Sequence, residues 1–481
     1  MKKTRNASII KNYNRGCINL KDNTIVLISS GLTEAKKEYN PFNRMNRYLN
    51  YGLLGLATIL KNKGYTVKMF QGEYDSPFEI IDRIKNSGIK LEELEYPVLL
   101  SIPSYYSISW AKSFCELLKS KYSIKIVGGG RWVIGDSEKW IKSKIPDVDL
   151  WVSGLADDVI ENAIHSDLWD SIHKIKDDTM TNCFDELDYT LLFDYKNYQP
   201  SIEVSRGCGR GCSFCMEKDI PISSLKPPEM IIKQLKNAIN MYQSEDINFY
   251  FEASLFLPSL SWARQLRAIY TKELMSVRWR CESRVDALKP EIIHELAHAG
   301  LKVIDLGLES ASIRQLKAMK KAKKPEDYLE KAKTLIEACH EEGVDVKVNI
   351  LLFAGESLDS VAETKEWIQA NIQYIKGVSV NPVVAYGPEN DNEYFISLGA
   401  SIIDTSELLG YSYMNLSVQI DYPMSISLSN QLSQSLMNQE DYFYLKKFSY
   451  FPRSYQYSDF LEDVKKANKE SLPFKIFKGG F

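Results

Sequence analysis

The sequence predicts an α/β protein: an N-terminal doubly wound parallel sheet, then a partial (β/α)6 barrel, then a small, mostly helical C-terminal region. Three observations carry this reading. Short apolar runs alternate with helical periodicity from about residue 20 to 165. The alternation resumes at about 200 and continues, strand after helix, to 388. The final stretch, 389–481, loses it and becomes rich in aromatic residues, as in Asp441-Tyr442-Phe443-Tyr444.

In the first block, 24–29 reads as a strand, 51–63 as a helix that stops at Gly64, and 66–70 as the next strand. A helix over 77–88, a strand at 97–102 and a helix over 108–121 follow. The strand at 124–127 runs into Gly128-Gly129-Gly130, and 149–154 closes the series. In such a sheet, ligands sit beyond the carboxyl ends of the strands. Those ends carry Ser29-Ser30-Gly31, Pro103-Ser104, the glycine triplet and Gly154.

A polar stretch, 166–199, shows no clear period and reads as a linker. The barrel strands are expected near 201–205, 247–252, 277–282, 303–309, 345–353 and 377–384. Helices are expected near 228–243, 259–273, 290–299, 326–342 and 359–374. Barrel chemistry belongs at the carboxyl ends of the strands. The aromatic stripe of the last region reads as core, with the capacity to cap the barrel.

Composition narrows the functional classes. Lys plus Arg number 60 and Asp plus Glu 63, a formal charge of −3, which argues against nucleic-acid and anionic-membrane surfaces. No apolar run reaches the roughly 18 residues of a spanning helix. The basic start, Met1-Lys2-Lys3-Thr4-Arg5, is followed only by a four-residue apolar stretch, too short for a signal sequence, which points to the cytoplasm.

Of eight cysteines, Cys208, Cys212 and Cys215 crowd into eight residues, which fits one metal site in a reducing compartment better than a disulfide framework. Cys17, Cys115, Cys183, Cys281 and Cys339 stand apart and read as reduced thiols. His294 and His298 lie one helical turn apart, with no third ligand near them in sequence, and read as a surface face.

The segment Ser205-Arg206-Gly207-Cys208-Gly209-Arg210-Gly211-Cys212-Ser213-Phe214-Cys215 directly follows the first barrel strand. Its C-x-x-x-C-x-x-C spacing can give one thiolate to each of three irons of a cubane and leave the fourth iron open. The interleaved glycines free the backbone to point N–H groups at sulfur. A zinc loop would want a fourth Cys or His at short spacing, and 216–280 contains neither.

This segment resembles the signature of the radical S-adenosylmethionine (SAM) superfamily, including the aromatic Phe214 before the third cysteine. The resemblance implies a [4Fe-4S] cluster held by Cys208, Cys212 and Cys215. Its open iron would bind SAM, which one electron splits to methionine and a 5′-deoxyadenosyl radical. Further matches follow at successive strand ends. Tyr250-Phe251-Glu252-Ala253 implies Glu252 near the SAM amino group. Trp279 to Asp286 is similar to the third-strand pattern of cobalamin-binding and methylthiotransferase-like subgroups, with Ser283 and Arg284 at the SAM site and Arg284 facing its carboxylate. Leu306-Gly307-Leu308-Glu309-Ser310 implies ribose or amino contacts from Glu309 and Ser310. Leu352 to Glu356 resembles a "GxPGE" region with Ala354 in place of proline, and 381–388 places Val383 near adenine.

The first block resembles the cobalamin-binding domain of one large radical SAM subgroup in layout. It departs from it in two ways. No histidine occurs before His165, so the Asp-x-His-x-x-Gly ligand motif is absent. The turn Gly130-Arg131-Trp132 is also bulkier than is usual there. Two readings stay open: a cobalamin-dependent methyltransferase acting at an unactivated carbon, and a cobalamin-free enzyme of rearrangement, dehydration, epimerisation or cyclisation. A third class, an iron–sulfur protein without turnover, is disfavoured by the matches beyond the cluster loop. The implied partners are a small-molecule or peptide substrate and a one-electron donor such as a flavodoxin or ferredoxin.

Overall fold

The computed structural model describes residues 22–32, 48–73, 75–133, 138–167, 169, 171–174, 186–244, 247–273, 275–386, 392–405, 411–448, 451, 454–469 and 472–475. The basic N-terminal segment, Cys17, Cys183, Gly387 and Pro388 lie outside them.

The first domain contains β1 (Thr24–Ser29), α1 (Tyr51–Asn62), β2 (Thr66–Gln71), α2 (Pro77–Asn86), β3 (Val98–Ser101), α3 (Ile108–Lys121), β4 (Ile126–Gly129), α4 (Glu138–Lys144), β5 (Leu150–Ser153), α5 (Ile160–Ile164) and β6 (Ser171–Lys174). Every residue of β1 is buried, as a central strand covered on both faces requires. Asn50 caps α1, and a capping box of Ser76 and Glu79 with Pro77 at the first position starts α2. The strands pair in parallel in the order β2-β1-β3-β4-β5-β6. Strand β6 lies in the polar stretch read as a linker. It is four residues long and pairs only with β5, and such edge strands carry little apolar signal.

After it, residues near 188 return to the first domain. The backbone N–H of Asp188 donates to the Thr58 hydroxyl at 3.0 Å, and Lys61 pairs with the Asp188 carboxylate.

The barrel contains β7 (Ser201–Glu203), α6 (Pro228–Tyr242), β8 (Asn248–Glu252), α7 (Leu260–Lys272), β9 (Arg278–Arg284), α8 (Pro290–Ala297), β10 (Leu301–Glu309), α9 (Ile313–Ala318), α10 (Pro325–Glu341), β11 (Asp345–Leu352), α11 (Leu358–Ala370) and β12 (Gly377–Pro382). The six strands run parallel in the order β12-β11-β10-β9-β8-β7, an open barrel wall. Strand alternation sorts the side chains of β9. Trp279 and Cys281 enter the apolar core, whereas Arg280, Glu282 and Arg284 take the opposite face. Arg280 pairs with buried Asp305 of β10 at 3.0 Å and lies 3.9 Å over the Tyr250 ring.

The C-terminal region adds β13 (Ala385–Tyr386), α12 (Asn392–Ser397), β14 (Ser401–Ile403), β15 (Tyr411–Asn415), α13 (Tyr422–Leu436), α14 (Gln439–Lys447) and α15 (Tyr457–Lys466). Its aromatics build a separate small core around Tyr442, Phe443 and Phe460. Helix α14 lies against the amino ends of the barrel strands. The Asn248 side chain donates to the Lys447 carbonyl at 3.1 Å, Lys376 pairs with Asp441 at 3.1 Å, and Gly377 packs under Leu445. Helix α14 therefore closes the floor of the barrel, whereas the small β13–β15 sheet lies at the carboxyl-end side, where Gly355 N–H donates to the Leu416 carbonyl at 2.7 Å and the Tyr411 ring stands 5.2 Å from that of Tyr105. Among the described residues, no helix is long and apolar enough to cross a membrane.

Candidate functional site

Strand β7 delivers the cysteine loop. Its backbone folds back on 217–220: Cys208 N–H donates to the Ile220 carbonyl at 2.9 Å and Gly211 N–H to that of Lys218 at 3.1 Å. Ser213 N–H donates to the Met319 carbonyl at 2.9 Å, pinning the far side of the loop beyond α9. Gly207 has φ +73° and packs so closely that a Cβ would lie 2.0 Å from the Pro221 carbonyl oxygen, so no side chain fits there.

Cys212 is buried, and Cys208 and Cys215 are half-buried. Burial pushes the thiols of Cys208 and Cys215 up, while the Arg210 and Glu217 N–H groups donate to the respective sulfurs and oppose it. Arg284 points Nη1 at Cys212 Sγ from 3.4 Å.

The donor set fits a cluster. The loop offers three thiols, one for each of three irons, and 216–280 holds no fourth Cys or His for zinc. Cys115, Cys281 and Cys339 are fully buried elsewhere, with thiols pushed up by burial.

The structure gathers part of the residue set expected around SAM. Arg284 is clamped by Asp286 through Nε at 2.9 Å and donates Nη2 to the Lys321 carbonyl at 2.6 Å. Lys321 turns its Nζ to Glu309 at 3.0 Å and lies 5.9 Å from the Phe214 ring centroid. Thus Cys212, Phe214, Arg284 and Glu309 are linked through Lys321. Glu309 holds φ +65°, a backbone state unfavourable for a side chain of this kind and seen most often at functional positions. Glu252 sits at the end of β8, where burial pushes its carboxyl up to about 8; Ser201 donates to it at 2.7 Å and opposes that shift together with Arg280.

In the other three expected residues, two hydroxyls and one backbone N–H bond within the fold. The Ser283 hydroxyl donates to the Phe256 carbonyl at 2.8 Å, and Ser310 shares a hydrogen bond with Thr364 at 3.0 Å. Val383 donates its N–H to the Leu352 carbonyl at 2.8 Å. Lys321 and Asp286 were missed in the sequence. Lys321 belongs to the run Lys320-Lys321-Ala322-Lys323-Lys324, which has the composition of a solvated surface.

The first domain meets this loop directly. Arg131 pairs with Glu217 at 2.6 Å, and Asp157 with Arg206 at 3.0 Å, Arg206 being held in turn by Glu203 at 2.7 Å. Tyr386 donates its hydroxyl to the Phe214 carbonyl at 2.8 Å and stacks on Tyr105 at 4.8 Å. The strand ends of the first sheet are tied to one another. Asn50 Nδ2 bridges the Ser29 and Ser101 hydroxyls at 2.9 and 3.2 Å, and Trp132 Nε1 donates to the Pro103 carbonyl at 2.9 Å.

An open parallel barrel with a three-cysteine loop after its first strand defines a class of catalytic domain, and the comparisons agree. Residues 202–368 match the family model described as "Radical SAM superfamily". The chain carries a radical SAM domain, of the enzyme class that works with a [4Fe-4S] cluster and SAM.

A curated relative, a tRNA-2-methylthio-N(6)-dimethylallyladenosine synthase of Aliarcobacter butzleri, is 25% identical over 188 residues. That match covers 36% of this chain and only 42% of the relative's length. Among solved structures, the radical SAM methyltransferase TsrM of Kitasatospora setae, with tryptophan and a SAM analogue bound, gives a TM-score of 0.56 at 15% identity. It covers 75% of this chain and 73% of its own. The cobalamin-dependent SAM radical enzyme OxsB gives 0.56 at 16% identity, covering 79% of this chain and 55% of its own. At these identities the likeness establishes a shared fold, here one that extends across the first domain and the barrel.

Proposed function

We propose that this protein is a radical SAM enzyme that cleaves SAM at a cluster held by Cys208, Cys212 and Cys215, and that it acts as a cobalamin-dependent C-methyltransferase of a biosynthetic pathway. The observation that carries the radical SAM reading is the fixed, three-sulfur loop with the Arg284 guanidinium on its buried cysteine. When bound, the cluster and SAM supply the reductive cleavage that yields a carbon radical.

The chain's own residues hold that chemistry. Arg284 offers positive charge to the Cys212 thiolate while Asp286 fixes its orientation. Glu252 accepts from an ammonium group, whose charge favours the deprotonated carboxylate. The Lys321–Glu309 pair lies beside Phe214 and fixes the rim of the site. Arg131 and Asp157, by pairing with Glu217 and Arg206, tie the loop to the first domain. The methyltransferase reading is supported by the fold shared over 75% of this chain with the methyltransferase TsrM, and the cobalamin reading by the fold shared over 79% with the cobalamin-dependent OxsB. The substrate is a small molecule or peptide rather than a nucleic acid, in keeping with the net charge of −3. A flavodoxin or ferredoxin supplies the electron.

One observation favours a second reading. The strand-end crevice of the first sheet is crossed by the chain's own groups, and the cluster loop is ion-paired directly to it. Among the described residues, these bonds occupy the strand ends where a ligand of such a sheet would lie. On this reading the first domain only packs on the barrel, and the radical leads to rearrangement, dehydration, epimerisation or cyclisation.

Anaerobic reconstitution with and without hydroxocobalamin tests both. Cobalamin absorbance that survives gel filtration supports methyl transfer, and 5′-deoxyadenosine formed without it supports the second reading. Absence of SAM cleavage under strong reductant in either case rejects both.

A further inference from the structure

The His294–His298 pair gains in the structure a neighbour that the sequence does not place beside it. Both residues lie on the outer helical layer, His294 in the last turn of α8 and His298 as its C-cap. Glu342 is the C-cap of α10, which packs beside α8. The three side chains each offer one ligand atom within 4.8 Å of the others. His294 Nδ1 stands 2.8 Å from Glu342 Oε1, and His298 Nδ1 stands 3.9 Å from Glu342 Oε2. The rings lie 4.5 Å apart, and the His298 ring is oriented by a 2.8 Å contact of its Nδ1 with the His294 carbonyl.

We infer that the converging C-terminal ends of α8 and α10 form a binding site for one divalent transition metal of the zinc type, held by His294, His298 and Glu342. Two independent features point to a cation. The first is the ligand set. Two imidazoles and a carboxylate suit zinc and its neighbours, calcium and magnesium take oxygen donors, and copper(I) favours sulfur.

The second is the field. Each helix C-terminus carries roughly half a negative charge, and two of them meet here with the Glu342 carboxylate. The facing cation is Arg267, whose Nη1 lies 3.4 Å from His294 Nε2. It is drawn toward Glu295 at 3.0 Å, a carboxylate that also meets Arg264 at 3.4 Å. Both histidines and Glu342 reach solvent, so water completes the coordination shell.

Helix α8 leads into β10 and α10 into β11, so the site lies at the amino ends of the barrel strands, away from the cysteine loop. The metal acts as a tie between adjacent helices at the foot of the barrel and not as a reacting centre.

The test uses the full chain with its cluster loaded, so that the loop cysteines are occupied. The protein is equilibrated with zinc chloride, gel-filtered, and analysed for zinc and iron, and its melting is followed with and without zinc. Wild type is expected to retain about one zinc per chain and to melt higher when zinc is present. The His294→Ala/His298→Ala variant is expected to retain less than about a tenth of that, and Glu342→Gln to bind at least about tenfold more weakly. His340→Ala, an exposed histidine of α10 outside the trio, is expected to behave as wild type, and unchanged iron content shows that each variant is folded. Zinc retained equally by the double variant, or no zinc retained by wild type, overturns the site.

Discussion

The first domain and the barrel are both parallel α/β arrays, and both place their loops at the carboxyl ends of their strands. Those ends differ in chemistry. The first sheet ends in Ser29, Ser101 and Asn50, neutral groups that satisfy one another. The barrel ends in Glu252, Arg284, Glu309 and three thiols, and burial holds the Glu252 carboxyl and the Cys208 and Cys215 thiols toward their neutral forms. Mutually satisfied neutral groups give a stable scaffold. Buried ionisable groups cost stability and are kept where a bound charge can compensate them. The contrast locates the chemistry in the barrel even though the fold rule alone marks both sets of ends.

Substitutions can break or sharpen this contrast. The largest effect is expected from Cys212→Ala, which removes a buried thiolate. Iron and sulfide content should fall sharply, and 5′-deoxyadenosine formation should drop by more than about 100-fold, since loss of one metal ligand exceeds the 10- to 100-fold cost of losing a supporting residue. Unchanged cluster spectra in this variant would remove the basis for the barrel site.

Arg284→Met should retain iron but slow SAM cleavage by about 10- to 100-fold, measured in single turnover, because a charge-assisted contact is worth about 1.5–3 kcal/mol.

Glu252→Gln comes next, with a pH signature. The free carboxyl, held near 8, must lose its proton to receive an ammonium. SAM binding to wild type should therefore tighten as pH rises toward 8, by at most about tenfold per unit, and the variant should show no such rise. Stability runs the other way. The raised folded pKa stabilises the protein below the unfolded carboxyl range, and that contribution is lost as pH rises through about 8. Thermal melts at pH 6 and pH 8 should thus differ less in the variant than in wild type.

The smallest effect belongs to the first domain. Asn50→Ala removes the cap of α1 and the bridge between β1 and β3 and should cost about 1–2 kcal/mol of stability. Denaturant unfolding measures that loss, and SAM cleavage below the melting range should stay within about twofold, as expected of a side chain whose hydrogen bonds all stay within the first domain. A far larger loss of cleavage would show that the first sheet takes part in the chemistry.

Much of the architecture was legible because apolar periodicity is local. The barrel strands and helices fall within a few residues of their expected positions, and Cys208, Cys212 and Cys215 share one loop because their spacing allows little else. Strand β6 was hidden because an edge strand of four residues has almost no pattern of its own. Among the SAM-site candidates, Arg284 reaches the loop and Glu309 joins it through Lys321, whereas the Ser283 and Ser310 hydroxyls and the Val383 N–H bond within the fold. A strand-end position says where a backbone goes but not which neighbour satisfies its side chain.

By itself the sequence determined the alternation of strands and helices, the three-thiol loop and the glycines that let it bend, because each depends on residues a few positions apart. Only the tertiary structure decided that Lys321 joins Glu309 beside that loop, that Arg131 and Asp157 reach it from the other domain, and that Glu342 meets His294 and His298. Those partners come from distant segments, and the chain brings them together only when its two sheets and their helices pack.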